Sequence, residues 1–479
     1  MRICLIAEGS YPYVTGGVSS WIQTLITSMP EHEFVIYAIG AHEKNRGKFK
    51  YKLPENLTEV REVFLDSYLS EEGVAGKQYF LTQEQKEVIK SLLDHQKTDW
   101  NQLFALFRNR KIDSVSNFIM SRDLYDIIQE LCIERYPQIP FTELFWSVRA
   151  MLLPLFWLLK NPVPEADIYH SASTGYAGVV AGLGKYMHDK PYVLTEHGIY
   201  TREREEEIIK SDWIKGYFKD LWIQYFYSLS QCAYAGSDQI ISLFNKNKEI
   251  QVEIGCQEEK VRVIPNGVNP NDFNGLAPKR QDEQGYINVG AVVRVVPIKD
   301  IKTMIQSFAI VKKQVSEARF YIFGPYEEDP EYYEECLQLL ESLGTEDIYF
   351  TGTVNIKEYI GGMDILILSS ISEGQPLAIL EGMASGKPFV STDVGSCSEL
   401  IYGLEDGIGP AGIIVPVMNY VKMAEAIVQL AGDPELRSKM GGNGRKRVAD
   451  VYTKESFIER YKQIYKNTRV LKWQELVSN

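Results

Sequence analysis

Short apolar runs alternate with amphipathic segments along most of the chain. An apolar run at residues 3–7 precedes a loop through Gly16 and Gly17, an amphipathic segment at 18–29 and a second apolar run at 34–39. This order predicts a β-α-β unit with a parallel pair of strands. Further along, the pattern predicts a helix over 175–187 and strands at 168–171, 192–195, 233–236 and 261–264. These elements are typical of a doubly wound, Rossmann-like domain.

A second series of strands and helices follows a polar break at 272–284, which contains Gly and Pro and is predicted to be a linker. A last amphipathic helix is predicted over 454–467, and with the tail to residue 479 it is long enough to cross back onto the first domain. Between them, helical segments separate strands predicted at 286–293, 318–323, 348–351, 365–368, 388–391 and 412–415. The regular spacing predicts a second Rossmann-like sheet.

The helical segments at about 65–165 are long and rich in Leu, Gln, Glu and aromatic residues, so a helical insertion is predicted within the first domain. The predicted fold class is therefore α/β, with two Rossmann-like domains. The N-terminal domain covers 1–275, the C-terminal domain covers 276–453, and the terminal helix at 454–479 packs back on the first domain. A chain of 479 residues is long enough for two cores of this size.

Composition and charge narrow the classes of function. With 45% apolar and 24% charged residues the chain is globular, and its net charge of -13 argues against a nucleic-acid partner. The six cysteines are scattered without a C-x-x-C pair, and no H-E-x-x-H or Asp-x-Asp signature occurs, so no required metal is expected. Reduced thiols indicate a cytoplasmic protein.

The longest apolar stretch is AMLLPLFWLL at 150–159, about half of the roughly 20 residues that a membrane-spanning helix needs. A buried core helix is the first interpretation, and a surface for a membrane or protein partner is the alternative. The first apolar run meets Glu8 too soon to serve as the core of a signal peptide. The chain is therefore expected to be soluble and not to span a membrane.

The sharpest motif follows the predicted strand at 365–368 and reads SEGQPLAILE, ending at Glu381. Proline suits the first turn of a helix, so the motif predicts a helix N-terminus with free amides near Leu377 and Ala378, and such a terminus binds phosphate. Glu373 lies in the loop before this helix and Glu381 lies more than one turn inside it, so we expect them to contact different parts of one ligand. A helix cap and a solvated helical carboxylate are the structural alternatives.

Arg294 and Lys299 follow the predicted strand at 286–293 in the run GAVVRVVPIK. Ligands of open α/β sheets bind at the carboxyl ends of strands, and two cations five residues apart can clamp a diphosphate there. Solvated surface cations are the alternative, but an Arg embedded among valines favours the functional interpretation.

The first domain supplies weaker candidates. Gly16 and Gly17 let backbone approach a phosphate or sugar closely, although a plain tight turn explains them equally well. His197 and His170 lie at strand ends in the runs TEHGIY and IYHSAS. A functional role is favoured for His197, whereas a structural role explains His170 equally well.

Together, these motifs and the run VIPNGV at 263–268 resemble glycosyltransferase family 4, and the resemblance spans nearly the whole chain. Members of that family have the GT-B fold, in which two Rossmann-like domains face a central cleft, and they retain the anomeric configuration of the transferred sugar. More narrowly, the runs AEGSYPYVTGGVSSW and TEHGIYTRERE resemble the branch of the family that acts in synthesis of the Pel exopolysaccharide. Many relatives have His-Asp where this chain has His197 and Gly198, so a role that depends on that Asp does not carry over.

The resemblance implies a role for each motif. Arg294 and Lys299 would bind the donor diphosphate, Glu373 would hold the donor sugar, Glu381 would bind the ribose, and His197 would lie beside the transferred sugar. The implied catalytic residues are Glu373, His197, Arg294 and Lys299. The implied donor-binding residues are Gly16, Gly17, Arg294, Lys299, Glu373, Gly374, Gln375, Pro376, Leu377, Ala378 and Glu381.

The implied activity is that of a metal-independent, retaining hexosyltransferase that takes UDP-glucose or a related UDP-hexose as substrate and needs no cofactor. A growing polysaccharide is the implied acceptor. Membrane-bound synthase or export proteins are the implied partners, and they would hold a cytoplasmic enzyme at the inner face of the membrane. Two alternatives stay open: a non-catalytic nucleotide-sugar-binding subunit of a polysaccharide synthase complex, and an epimerase with the GT-B fold.

Overall fold

A computed structural model of the chain describes residues 1–71, 79–94, 96–109 and 112–478, with side chains described up to residue 470. The chain forms two compact units. The first unit consists of residues 1–242, 248–262 and the chain from 461 onward, and the second consists of residues 243–247 and 263–460.

The first sheet has seven strands: β1 (Arg2–Glu8), β2 (Glu33–Gly40), β3 (Leu57–Phe64), β4 (Ile168–Ser171), β5 (Tyr192–Glu196), β6 (Gln239–Ser242) and β7 (Val261–Val263). Their order across the sheet is β3-β2-β1-β4-β5-β6-β7, and β1 pairs in parallel with both β2 and β4. The strand order therefore reverses at β1, and ligands of open α/β sheets bind at such a switch point. The burial of β1, β4 and β5 explains their continuous apolar runs.

Among the described residues, ten helices accompany this sheet: α1 (Gly17–Thr27), α2 (Gln83–Ser91), α3 (Trp100–Asn109), α4 (Val115–Ile119), α5 (Arg122–Arg135), α6 (Phe141–Lys160), α7 (Gly175–His188), α8 (Tyr200–Lys210), α9 (Gly216–Gly236) and α10 (Asn245–Glu253). The helical insertion predicted at about 65–165 contains α2 to α6, while residues 72–78, 95, 110 and 111 of it lie outside the described residues. Local capping signals start several of these helices. For example, Thr82 and Gln85 form a reciprocal capping box at the start of α2.

The strand predicted at 233–236 is wrong. These residues form the last turn of α9, where Ala233 and Tyr234 are buried on its inner face. A run of four residues is too short to show whether its apolar positions repeat with the period of a strand or of a helix. The strand of this region, β6, starts only after the chain becomes extended at Ser237.

In the part of the chain that the structure describes, α6 is the single helix long and apolar enough to cross a membrane by length and composition. Ten of its residues are buried, and Leu152, Leu155 and Phe156 belong to the hydrophobic core around the first sheet. A buried core helix has the same composition as a membrane span, so the packing supports the core interpretation of the apolar stretch at 150–159.

The second sheet has six strands: β8 (Ile287–Val292), β9 (Ala318–Phe323), β10 (Ile348–Gly352), β11 (Ile365–Leu368), β12 (Phe389–Thr392) and β13 (Gly412–Val415). Their order is β10-β9-β8-β11-β12-β13, and β8 pairs in parallel with β9 and β11. The order of these strands reverses at β8, so the loops after β8 and β11 lie at a second switch point.

Seven helices follow in the chain: α11 (Ile301–Gln314), α12 (Pro330–Leu343), α13 (Leu377–Ala384), α14 (Cys397–Tyr402), α15 (Tyr420–Gly432), α16 (Pro434–Val451) and α17 (Lys454–Ser478). The predicted α/β fold class with two doubly wound sheets is confirmed. Residues of α17 up to 460 belong to the second unit, and those from 461 onward belong to the first. In the first unit the Tyr461 and Tyr465 side chains of this helix are fully buried.

A buried guanidinium group joins α16 to the end of α14. Arg447 is completely buried and donates to the Leu400, Ile401 and Tyr402 carbonyls, the last carbonyls of α14. It also contacts both carboxylate oxygens of Asp406, at 2.5 and 3.1 Å. The last carbonyls of a helix lack partners within the helix, and Arg447 supplies donors to three of them. Its hydrogen bond also holds the pKa of Asp406 below its ordinary value.

Arg447→Ala is expected to lower the free energy of unfolding by about 3–5 kcal/mol, because it leaves a largely buried carboxylate without its charged partner and the Leu400 and Tyr402 carbonyls without a donor. Urea unfolding followed by circular dichroism measures the loss. Lys446→Ala, at the neighbouring exposed position, is the matched control, with an expected change of less than about 0.5 kcal/mol. Equal stability of the two variants would show that Arg447 does not anchor α14.

Candidate functional site

The loops after β8 and β11 carry a largely buried ion pair. Lys299 Nζ lies 2.5 Å from Glu373 Oε1, and Ser370 Oγ donates to the same oxygen at 2.6 Å. The side chains of Lys299 and Glu373 are only 17% and 11% exposed, so salt and water screen this pair less than a surface pair. Two residues predicted from separate motifs are thus in contact at the carboxyl edge of the second sheet.

Hydrogen bonds to backbone carbonyls hold these two loops together. Ser369 Oγ donates to the carbonyls of Lys299 and Asp300, at 2.8 and 2.9 Å. The Ile371 N–H donates to the Ile298 carbonyl at 2.9 Å. The sequence interpretation missed Ser369 and Ser370. The available signal was a pair of small hydroxyl residues placed directly after a buried strand, where ligand sites of parallel sheets lie.

Gly395 is a second residue that the sequence interpretation missed. Its φ is +52°, and a Cβ atom there would collide with the carbonyl oxygens of Glu373 and Gly374. The neighbouring Ser396 N–H donates to the Gly374 carbonyl at 3.0 Å. Only glycine fits a backbone that is both left-handed and so close to another chain segment. Gly395 therefore supports the loop that carries Glu373.

The motif after β11 leads into the N-terminus of α13. The helix begins at Leu377, and Pro376 is its N-cap with extended backbone, so the proline lies one position earlier than the expected first turn. The Ile379 N–H donates to the Pro376 carbonyl at 3.2 Å. Within the described chain the amides of Leu377 and Ala378 have no acceptor, and no side chain caps the helix. Two amides are therefore available to an anion.

The other polar residues of this motif have different surroundings. Gln375 is buried, and its Oε1 accepts the Asn266 N–H at 2.6 Å. That side-chain oxygen therefore links the motif to the VIPNGV segment rather than facing a ligand. Glu381 lies half-buried in α13, and burial raises its pKa while Lys357 acts in the opposite direction.

Arg294 is not part of the hydrogen-bonded group around Glu373 in the described structure. Its Nη1 atom lies 2.7 Å from Glu328 Oε2, and the two side chains are 54% and 45% exposed. A surface pair of this kind contributes at most about 1 kcal/mol, so a bound anion could replace Glu328 as its partner. The two predicted cations thus have different environments, one largely buried and one at the surface.

Gly16 and Gly17 lie at the start of α1 in the first unit. Gly16 is the N-cap with extended backbone, and no side chain caps the helix. A Cβ atom at either glycine would meet no protein atom within 4 Å. Protein packing therefore does not explain these glycines, and there is open space beside the helix N-terminus.

His197 follows β5 and packs against Trp21 of α1, with ring centroids 4.8 Å apart in an edge-to-face arrangement. Its Nε2 atom is buried and has no hydrogen-bond partner in the described structure. Burial lowers the pKa of His197 to about 4, so the imidazole is neutral at pH 7. A neutral ring whose Nε2 atom has no partner offers a ligand a hydrogen bond but no charge.

His170 uses both ring nitrogens within the protein. Nδ1 lies 2.7 Å from the Tyr465 hydroxyl, and Nε2 lies 2.8 Å from Thr195 Oγ1. The side chain is fully buried, and burial lowers its pKa to about 3. Of the two interpretations of His170, these contacts support the structural one.

Two family models match the chain. Residues 284–433 match the model described as Glycosyl transferases group 1, and residues 1–259 match the model described as Domain of unknown function (DUF3492). The first of these matches covers less than half of the chain and contains the whole second sheet, and two doubly wound sheets of this kind are the elements of the GT-B fold. The second match covers more than half of the chain, and the chain belongs to the DUF3492 family.

Curated relatives are similar over parts of the chain. N-acetyl-alpha-D-glucosaminyl L-malate synthase of Bacillus anthracis is 28% identical over 225 residues, which are 47% of this chain and 55% of the relative. The chain thus spans little more than half the length of that relative. UDP-Gal:alpha-D-GlcNAc-diphosphoundecaprenol alpha-1,3-galactosyltransferase of Escherichia coli is 24% identical over 328 residues, 66% of this chain and 78% of the relative.

Among solved structures, Anabaena Alr3699/HepE in complex with UDP is similar over 98% of this chain and 100% of its own, with a TM-score of 0.62 and 14% identity. The complex of the same protein with UDP-glucose has a TM-score of 0.59. At this identity the likeness concerns the fold alone.

Gly395→Ala is expected to lower the free energy of unfolding by at least about 2–3 kcal/mol, because it adds a backbone collision to the cost of a left-handed alanine. The matched control is Gly407→Ala. Gly407 also has a positive φ, +68°, but open space around it, so only the conformational cost of about 1 kcal/mol is expected there. Chemical unfolding of both variants measures the difference, and a smaller loss at Gly395 than at Gly407 would contradict its supporting role.

Proposed function

We propose that this chain transfers a hexosyl unit from a UDP-sugar to a growing polysaccharide, with retention of anomeric configuration and without a metal ion. The donor is UDP-glucose or a related UDP-hexose. The observation that carries the proposal is the contact between Lys299 and Glu373 at the switch point of a domain that matches group 1 glycosyltransferases. A cation, a carboxylate and free helix amides at one sheet edge suit a ligand that combines diphosphate and sugar hydroxyls.

The proposed chemistry assigns charge stabilisation to the cations and amides. The bond between the sugar C1 and the diphosphate oxygen breaks, and negative charge develops on the departing UDP. Lys299, Arg294 and the amides of Leu377 and Ala378 stabilise that charge more strongly in the transition state than in the bound donor, and this difference accelerates the reaction. The new bond from C1 to the acceptor oxygen forms on the same face, and the acceptor proton passes to the departing phosphate.

The remaining candidates bind and orient the donor. Glu373 accepts hydrogen bonds from the sugar hydroxyls, and Glu381 accepts them from the ribose. In the first unit, His197 offers its unused Nε2 to the transferred sugar as a neutral group, and the backbone at Gly16 and Gly17 leaves room for the diphosphate. Gly374, Gln375 and Pro376 shape the donor-binding loop.

The names of similar proteins support a UDP-sugar donor. The Escherichia coli relative is named for UDP-Gal, and the HepE structures are complexes with UDP and UDP-glucose. Galactose and glucose differ in the configuration of one hydroxyl group, so both names fall within the proposed class of UDP-hexoses.

A narrower proposal concerns the pathway. The runs AEGSYPYVTGGVSSW and TEHGIYTRERE and the insertion of α2 to α6 support a PelF-type enzyme of Pel exopolysaccharide biosynthesis, a polysaccharide that forms biofilm. The acceptor is then the growing Pel polymer. Membrane-bound synthase and export proteins are its partners, and they keep a cytoplasmic enzyme at the inner face of the membrane.

Purified protein incubated with a panel of sugar nucleotides and the acceptor, with EDTA present throughout, is expected to release UDP from UDP-glucose or one related UDP-hexose. The two cations and the helix amides neutralise the leaving group, so turnover in EDTA should match turnover with added Mg²⁺. An assay coupled to UDP release measures turnover with EDTA and with Mg²⁺, and mass spectrometry identifies the glycosylated product. A product that keeps the α-configuration in the nuclear magnetic resonance spectrum supports retention.

Other outcomes select the alternatives. Binding of a UDP-sugar with no turnover under any condition would favour a non-catalytic subunit of a synthase complex. Conversion of one UDP-hexose into its epimer without an acceptor would favour an epimerase. A strict need for Mg²⁺ would contradict the proposed role of the cations.

Lys299→Ala and Arg294→Ala are each expected to lower kcat by about 100- to 1000-fold, the scale of a lost transition-state charge contact. Lys302→Ala is the matched control, because Lys302 begins the next helix but pairs with Glu335 at the surface. Steady-state kinetics measures all three variants, and thermal unfolding shows whether Lys299→Ala remains folded. Activity within twofold of the unaltered chain in both site variants would show that Arg294 and Lys299 do not stabilise the leaving diphosphate.

A further inference from the structure

A cavity of about 720 Å³ lies at the edge of the first sheet where the parallel strands start, opposite the edge that carries His197. One wall is made by residues that directly precede β1, β2, β4 and β5, among them Met1, His32, Asp167 and Pro191. The other wall is the part of α17 that belongs to the first unit. A cavity of this size holds a small ligand such as a nucleotide or a sugar phosphate.

Three positive side chains of the lining repeat along one face of α17. Lys462, Lys466 and Arg469 are spaced by four and three residues, which places them above one another on a helix. Lys190 adds a fourth cation from the wall before β5. Together they form a strip of positive charge along a chain whose net charge is -13.

Contacts within the protein use only part of this charge. Lys462 pairs with Glu31 at 2.6 Å, and one oxygen of Asp167 accepts the Arg2 N–H at 2.9 Å. Asp189 is the third carboxylate of the lining. Three cations of the lining have no ion-pair partner among the described residues: Lys190, Lys466 and Arg469. They outnumber Asp167 and Asp189, the carboxylates of the lining other than Glu31. An anion is the ligand that this excess favours.

A polar atom of the wall also lacks a partner. The Nδ1 atom of His32 is buried and makes no hydrogen bond in the described structure. A buried polar atom without a partner has lost its contact with water, and a ligand group can supply the missing hydrogen bond. His32 is one of the residues that line the cavity together with the unpaired cations.

From this cavity we infer a second ligand site of the protein, which binds a phosphate-bearing molecule through Lys190, Lys466 and Arg469. Within the first unit, the site lies at the opposite edge of the strands from Gly16, Gly17 and His197, the residues of this unit that are proposed to contact the donor. Arg469 suits a phosphate through its planar set of N–H donors, and the two lysines add point charges.

The site is connected to His197 through α17. Tyr465 of this helix contacts His170, and Tyr461 packs against Trp21 with ring centroids 5.5 Å apart. Trp21 in turn packs against His197. The helix that carries three of the cations therefore also forms the surroundings of His197.

Isothermal titration calorimetry with inorganic pyrophosphate tests this inference, and every chain in the titration carries Arg294→Ala to weaken diphosphate binding at the proposed donor site. The chain with no further change is expected to bind one equivalent. The double variant Lys466→Ala, Arg469→Ala is expected to bind at least about tenfold more weakly, because it loses two charge-assisted contacts. The control is Lys439→Ala, Lys446→Ala, which removes the same charge from exposed positions of α16 and should bind normally.

A second arm distinguishes the source of the phosphate. Sedimentation with vesicles of phosphatidylcholine, with and without phosphatidylglycerol, tests a lipid headgroup in place of a free molecule. The cavity variant is the double variant Lys466→Ala, Arg469→Ala. If the unaltered chain binds only the anionic vesicles and the cavity variant does not, the ligand is a lipid phosphate. If the unaltered chain binds pyrophosphate, the ligand is a free phosphate-bearing molecule. If the cavity variant matches the control in both assays, the inference is overturned. These readouts do not need transferase activity, so failure of the proposed function would leave them valid.

Discussion

The arrangement of the second unit depends on keeping one charged pair largely out of water. Lys299 and Glu373 come from loops that are 74 residues apart in sequence, and neither charge could remain so little exposed without the other. An uncompensated buried charge costs several kcal/mol, so the pair constrains both loops to one geometry. The Ser369 hydroxyl joins these two loops, and the missing side chain of Gly395 lets a third loop approach the backbone at Glu373. Charge, backbone contact and helix terminus are thus brought to one edge of the sheet by a single constraint.

Much of this fold was predictable from local pattern. Strands such as Ile168–Ser171, Ala318–Phe323 and Ile365–Leu368 were predicted with their observed bounds, because central strands of parallel sheets are apolar on both faces and end at polar loops. The edge strand β3 was not predicted, because the apolar residues of its sequence LTEVREVF are three positions apart and lack the period-2 alternation of a strand. The run at 233–236 failed for a related reason, since its length cannot separate a strand from a helix end.

The candidate site was predictable only where its functional residues lie close together within one short segment of sequence. The motif from Glu373 to Glu381 and the Arg294 and Lys299 pair stood out because their residue types are unusual beside buried strands. The partners of these residues could not be predicted, since Glu328, Ser370 and Gly395 are selected by packing between distant segments. Gln375 is an example of a motif residue whose partner could not be predicted. Its position in the motif suggested a ligand contact, whereas its oxygen is engaged by a backbone amide more than one hundred residues away in sequence.

The division of α17 between the two units has a consequence for how the protein is made. Tyr461 and Tyr465 fill the core of the first unit, yet the ribosome adds them after the whole of the second unit. Until the chain end emerges, the surfaces of Trp21 and His170 that these tyrosines cover stay open to water. The first unit therefore completes its core last although it is synthesised first. A nascent chain must protect that surface from aggregation throughout its elongation.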